Sequence, residues 1–304
     1  MPWRIGIVGF GKIAQDQHLP VIAANPAFEL AAVVSPRMPA PEGVPAFADH
    51  HAMLAALPDL DAVAVCTPPQ PRHGIARDCL LAGKHVLLEK PPAATLSELV
   101  DLERVATREG RVLYATWHSR HAAAIEEARR RLAGTTVRRL AVTWKEDVRR
   151  WHPGQAWIWA AGGFGIFDPG INALSIVTRI MPTPLFVRRA DLFFPSNRDA
   201  PIAANLDLGD NAAAELDWRQ TGDQIWEIEV DTDDFRLKLA NGGSRLEIDG
   251  QSVTDEPPAE YEAIYDRFDV LLRNGASDID ADPFRLVADA FMVGRRIAVE
   301  PFED

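Results

Sequence analysis

The chain is poor in cysteine: among 304 residues there are only Cys66 and Cys79, and neither sits in a metal-ligand motif. A disulfide framework is therefore not expected, and both read as reduced structural thiols. The eight histidines are scattered, with His50-His51 at a loop or helix start, so no zinc spacing emerges and no metal is expected. Positive charge is also in deficit. A formal net charge of −12 disfavours non-specific binding to nucleic acid or to an anionic membrane. The local run Arg129 to Arg131 lies beside Glu126 and Glu127 and reads as a solvated helix face. No apolar run reaches the ~20 residues needed to span a bilayer, and no leader pattern precedes the first strand; a cytoplasmic protein is expected. Internal repeats and low-complexity linkers are absent too.

What is present is an ordinary globular composition, 47% apolar and 25% charged, at a length natural for two domains. The run Arg4-Ile-Gly-Ile-Val-Gly-Phe-Gly-Lys-Ile-Ala14 carries the most information. An apolar strand empties into Gly9-x-Gly11-x-x-Ala14 and then a helical pattern, the layout of a dinucleotide pyrophosphate site. Gly9 allows the turn, Gly11 lets backbone approach phosphate, and small Ala14 lets the helix pack close. The turn residues Gly9, Phe10, Gly11, Lys12 and Ile13 are the expected cofactor contacts.

Apolar runs alternate with helical patterns through residue 117. The strands are read at Arg4 to Val8, Leu30 to Val34, Ala62 to Cys66, His85 to Leu88 and Arg111 to Ala115. This predicts an α/β fold, with a doubly wound parallel Rossmann sheet over residues 1–117. Beyond Trp117 the pattern changes. Helices are expected near Ala122 to Leu132, within Gly163 to Ile180, and ending near Arg296. Extended segments lie near 185–193, 212–218, 224–230, 235–239 and 243–248, with Asn241-Gly and Asp249-Gly as turns. Residues 118–304 are thus expected to form an α+β domain on a large, mostly antiparallel open sheet, for substrate binding and homo-oligomerisation.

Ligands bind beyond the carboxyl ends of parallel strands, so each following loop is a site component. Strand two ends in Ser35-Pro-Arg37 with no acidic residue to grip a ribose hydroxyl. Glu29 has the conventional spacing but begins its strand, at the wrong end of the sheet. Ser35 and Arg37 suit a phosphate, which favours NADP and leaves NAD possible. Strand three runs into Thr67-Pro68-Pro69-Gln-Pro-Arg-His73, a loop stiffened by proline; Thr67, Pro68 and His73 are expected at the cofactor. Strand four ends in Glu89-Lys90-Pro91. Lys90 is placed near the nicotinamide, where like charge and partial desolvation lower an amine pKa.

Gly9-x-Gly11-x-x-Ala14, Thr67-Pro68-Pro69, Glu89-Lys90-Pro91 and Gly162-Gly163 ahead of Asp168 appear in the order and spacing of the Gfo/Idh/MocA oxidoreductases, which the whole chain resembles. The resemblance implies a Rossmann domain, a second α/β domain whose open sheet often mediates oligomers, and sugar or polyol oxidation with NAD or NADP. One departure stands out. The family commonly carries aspartate and histidine four residues apart, whereas this chain reads Asp168-Pro-Gly-Ile-Asn172. Asn172 cannot titrate, so the proton role passes to Lys90 or Asp168, and Asn172 is left to hold a hydroxyl. Asp168-Pro169 also reads as a helix N-cap with proline at N1. The asparagine variant, with Glu146 and His152, resembles the branch that oxidises L-arabinose and D-galactose at C1. Trp151, among the neighbouring tryptophans 157 and 159, and His118 are further candidate sugar contacts.

Overall fold

The computed structural model describes residues 1–35 and 38–303. The chain divides into two compact units, the first comprising Met1–His118 and Tyr261–Ala281, the second Ser119–Glu260 and Asp282–Asp304.

The first unit holds six strands: β1 Trp3–Val8, β2 Phe28–Val34, β3 Ala46–Phe47, β4 Ala62–Val65, β5 His85–Leu88 and β6 Leu113–Ala115. All pair in parallel, in the order β3-β2-β1-β4-β5-β6, the doubly wound arrangement of a dinucleotide fold. The crossovers carry α1 Leu19–Ala24, α2 His50–Ala56, α3 Pro69–Leu81 and α4 Leu96–Glu109. Strands buried on both faces explain their unbroken apolar runs; every residue of β4 is inaccessible. Thr95 and Glu98 form a capping box that fixes the start of α4. The turn after β1 leads into helix through a π-helical stretch, Ala14–His18, before α1. The helix Glu260–Asn274 joins this unit and packs Tyr265 and Phe268 against Ile5, Ile7 and Phe28. Full burial of Phe268 stabilises by roughly 1.5–3 kcal/mol.

The second unit is built on nine strands: β7 Val137–Lys145, β8 Arg189–Pro195, β9 Ala203–Gly209, β10 Ala212–Asp217, β11 Ile225–Thr232, β12 Arg236–Ala240, β13 Arg245–Ile248, β14 Gln251–Asp255 and β15 Gly294–Val299. Their order is β14-β13-β12-β11-β7-β10-β9-β8-β15. Pairing is antiparallel except for β7 with β10 and β8 with β15. Helices α5 Ile125–Leu132, α6 Val148–Trp151 and α7 Phe167–Ile180 belong here, with the helix Asp282–Val293. Asn241 and Asp249 adopt positive φ at the expected turns. The arginines of α5 pair with Glu126 and Glu127 as a solvated face does.

Three expectations are corrected. The last helix stops at Val293 rather than near Arg296, and Gly294, a poor helix former, opens β15 instead, where it pairs with Ala190 of β8. Strands β9 and β14 lie in segments with no strand expected. Asp168 is not a helix cap: α7 begins at Phe167, with Ile166 at the N-cap position and no side-chain cap. Among the described residues no helix is long and apolar enough to cross a membrane.

Candidate active site

In the first unit the loops after β1, β4 and β5 converge at the carboxyl edge of the sheet. Gly9 sits at φ +91°, and a Cβ there would lie 2.7 Å from the Thr67 backbone nitrogen, so the two loops touch only because residue 9 is glycine. At Gly11 a Cβ would meet nothing within 4 Å. The Thr67 hydroxyl oxygen is buried with no hydrogen-bond partner. An orphaned buried hydroxyl beside a glycine turn with open space over Gly11 fits a dinucleotide site, in which a cofactor group would complete the Thr67 hydrogen bonding. Of the other expected contacts, Pro68 caps α3, Lys12 is exposed and paired with Asp16, and Ile13 is exposed. Phe10 is a core residue, offering backbone rather than side chain. The Ser35 hydroxyl bonds to both backbone polar groups of Met38. Arg37 lies outside the described residues. His73 bonds to Asp101 across α3 and α4, 2.8 Å, and this bond is the main reason the Asp101 carboxyl lies below its usual range.

Glu89 is buried, 3% exposed, and its carboxylate is fully engaged within the unit. Oε1 accepts from the Tyr261 hydroxyl at 2.7 Å and meets His18 Nε2 at 3.0 Å; Oε2 accepts from the Lys90 backbone N–H at 3.0 Å. His18 Nδ1 in turn lies 2.8 Å from the Tyr265 hydroxyl. Burial works against charge on both members, yet His18 and its hydrogen bonds hold the Glu89 carboxyl down at about 2, and Cys66, Tyr265 and Glu89 hold the His18 imidazole well above its ordinary value. A buried ion pair thus lies under the Lys90 backbone. His118 stacks on Tyr261, ring centroids 5.8 Å apart. Arg72, also buried, donates to the carbonyl oxygens of Thr67, Glu89 and Pro91, joining the loops after β4 and β5. Sequence reading singled out neither Arg72 nor His18, Tyr261 and Tyr265. Arg72 lay one residue before a chosen histidine, whereas the tyrosines are some 170 residues from Glu89 along the chain.

In the second unit the candidates gather around Trp218. Glu146, following β7, is buried, and its two oxygens accept from the indole N–H of Trp218 at 3.1 Å and Trp226 at 3.0 Å. His152, at the end of α6, packs its ring on Trp218 at 5.2 Å and places Nε2 3.4 Å from Asp168 Oδ2. Gly163 is required beside them: a Cβ would lie 2.5 Å from two carbonyl oxygens of the preceding turn, which brings the start of α7 close. Asp168, in the first turn of α7, sits where the helix dipole favours a carboxylate. Trp151 is exposed and tilts against Trp226 at 5.7 Å, its indole N–H 3.4 Å from Gln224. Asn172 is half-buried one turn further along α7, its carbonyl accepting from Ser175. Trp159 is a core residue against Trp218. Glu146, Trp151, His152 and Asp168 therefore form one contiguous cluster. Trp218 and Trp226, which hold Glu146, are additions that sequence reading missed.

Residues 3–116 match the oxidoreductase family GFO_IDH_MocA, NAD-binding Rossmann fold. Over its whole length the chain is 47% identical to galactose 1-dehydrogenase of Pseudomonas fluorescens, 99% of which is covered. A crystal structure of a D-galactose-1-dehydrogenase protein from Rhizobium etli superposes with a TM-score of 0.94 at 53% identity, covering 99% of this chain and 98% of that one. A 3-ketoreductase from Actinomadura kijaniata, crystallised with NADP and TDP-benzene, shares the fold at a TM-score of 0.83 and 21% identity, covering 98% of this chain and all of that one. With its sheet order, its glycine turn and this end-to-end similarity, the chain belongs to the Gfo/Idh/MocA family of oxidoreductases.

Proposed function

We propose that this protein is an aldose 1-dehydrogenase that oxidises a pyranose such as D-galactose or L-arabinose to its aldonolactone. The observation that carries the reading is full-length similarity to two galactose 1-dehydrogenases. The buried, hydrogen-bonded Glu146 supports it, since a fixed carboxylate suits recognition of sugar hydroxyls. Oxidation at C1 removes a hydride from carbon and a proton from the anomeric hydroxyl. Bound NAD(P) supplies the hydride acceptor. Lys90, its backbone anchored on Glu89, holds the anomeric hydroxyl and steers loss of its proton. Asp168, held against His152, is the other candidate for accepting that proton. Glu146, His152, Asn172, Trp151 and His118 bind the sugar, the exposed indole of Trp151 offering a flat apolar face. The loops carrying Gly9, Phe10, Gly11, Lys12, Ile13, Ser35, Arg37, Thr67, Pro68, His73 and Glu89 hold the cofactor.

NADP is preferred in this reading, with NAD possible, because Glu29 stands at the start of β2, in register with Arg4, and the sequence that follows the strand offers Ser35 and Arg37 in place of an acidic residue. The first unit is the dinucleotide-binding part, and the second binds substrate and joins copies through its nine-stranded sheet, in a cytoplasmic oligomer. D-galactose and L-arabinose share their ring stereochemistry from C1 to C4, so both are expected substrates. Reduction of NADP and of NAD, followed spectrophotometrically with a panel of aldoses and with lactone identified as product, tests the reading. Turnover with D-galactose and L-arabinose, fastest with NADP, is the expected result; no reduction of either cofactor with any aldose overturns it.

A further inference from the structure

A cluster in the first unit, away from the glycine turn, has the donor set of a metal site. Asp49 caps α2 by accepting from the Ala52 N–H, which puts His50 and His51 at its first two positions. Neighbouring side chains on a helix point about 100° apart. These two rings nonetheless come together, centroids 4.0 Å apart, and both Nε2 atoms face one oxygen, Asp78 Oδ2 on α3, at 3.0 and 3.7 Å. The three ligand atoms all lie within 4.8 Å of one another. Ligands ~2.0–2.1 Å from a tetrahedral ion stand about 3.3 Å apart, a value the two observed separations bracket. The donors need little movement to take an ion.

The chemistry of the donors selects the ion. Two imidazoles and a carboxylate suit zinc and its first-row neighbours, whereas calcium and magnesium take oxygen ligands. His50 is largely enclosed and His51 and Asp78 are open to solvent, at 14%, 69% and 38% exposure, so an ion held here keeps room for water as a further ligand. Cys79, next to Asp78, points into the core with its thiol pushed up to about 12 by burial, and takes no part.

We propose that His50, His51 and Asp78 bind a first-row divalent cation, zinc above all, which staples α2 to α3. A seven-residue helix has little stability of its own, so a bond to the last turns of α3 would hold α2 in place. Local spacing hides the site because its ligands are 28 residues apart. The test is calorimetric titration of the untagged, chelator-treated full-length protein with zinc chloride, with thermal unfolding in parallel. One zinc per chain and a raised midpoint are expected. His50→Ala and Asp78→Asn should each weaken binding about tenfold or more. His85→Ala, a histidine outside the cluster whose ring meets the Val112 N–H, should bind zinc normally. Asp78→Asn keeps the side-chain shape and decides the matter if His50→Ala fails to fold. No saturable zinc binding by the wild type, or binding that survives Asp78→Asn unchanged, overturns the proposal.

Discussion

Each unit buries one glutamate at its site, and the two are stabilised by different means. Glu89 is held by a charged partner, His18, with a phenol and a backbone N–H completing its shell. Glu146 is held by two indole N–H groups. Pairing with a cation neutralises Glu89 and makes it an anchor for the backbone of Lys90. Indole donors orient Glu146 without contributing charge, which is compatible with the proposed role of that carboxylate in receiving sugar hydroxyl groups. The contrast teaches that burial of a glutamate does not announce its role; the charge of its partners does.

Several substitutions sharpen or break this contrast. The largest effect is expected at the group Glu89 anchors: Lys90→Ala should cut aldose turnover by about 10²–10⁴, while NADP binding measured calorimetrically is retained. Turnover near normal would remove Lys90 from the chemistry. Next comes stability. Glu89→Gln leaves the His18 charge buried without its partner and should cost ~3–5 kcal/mol in urea unfolding, against ~1–3 kcal/mol for Glu146→Gln, which loses one strong acceptor.

The sign of the pH dependence follows from the shifts. His18 is raised above its ordinary 6.5, so its contribution is complete below that value and fades as pH rises through the raised one. Glu89 is lowered from 4.5 to about 2, so its contribution is complete above 4.5 and fades as pH falls toward 2. The stability gap between wild type and Glu89→Gln should therefore be full from about pH 5 to 6.5 and shrink at alkaline pH. A gap independent of pH would mean that the pair is not charged. An effect of similar size concerns the cofactor: Arg37→Asp should weaken NADP by about 1.5–3 kcal/mol and spare NAD. An unchanged ratio of NADP to NAD efficiency would take Arg37 out of the cofactor site.

The two units also differ in how much their sequence disclosed. In a parallel sheet each strand delivers its own following loop to one edge, so Gly9, Thr67 and Lys90 could be placed from contiguous motifs. What escaped in the first unit has two causes: Tyr261 and Tyr265 come from far along the chain, on a helix that follows nine further strands-worth of unrelated pattern, whereas Arg72 is local but its role depends on three carbonyl groups from two loops. In the second unit, the family resemblance singles out Glu146, His152 and Asp168, which the structure gathers around Trp218. It does not single out their partners Trp218 and Trp226, because the pairing of β7 with β10 and β11 that aligns them has no local signature. The helix expected to end near Arg296 gives way to β15 at Gly294, where a glycine after the last apolar turn is the helix stop signal in the sequence.

The division of labour between the two glutamate sites is tested most directly by measuring both Michaelis constants, for D-galactose and for NADP, in Glu146→Gln beside Thr67→Val. Loss of a charge-assisted hydrogen bond corresponds to a factor of about 10–150. Glu146→Gln should raise the galactose constant by that order and leave the NADP constant nearly unchanged; Thr67→Val, which deletes the buried hydroxyl that has no partner, should raise the NADP constant and spare the sugar's. Equal changes in both constants for either variant would contradict the assignment of sugar to Glu146 and cofactor to Thr67.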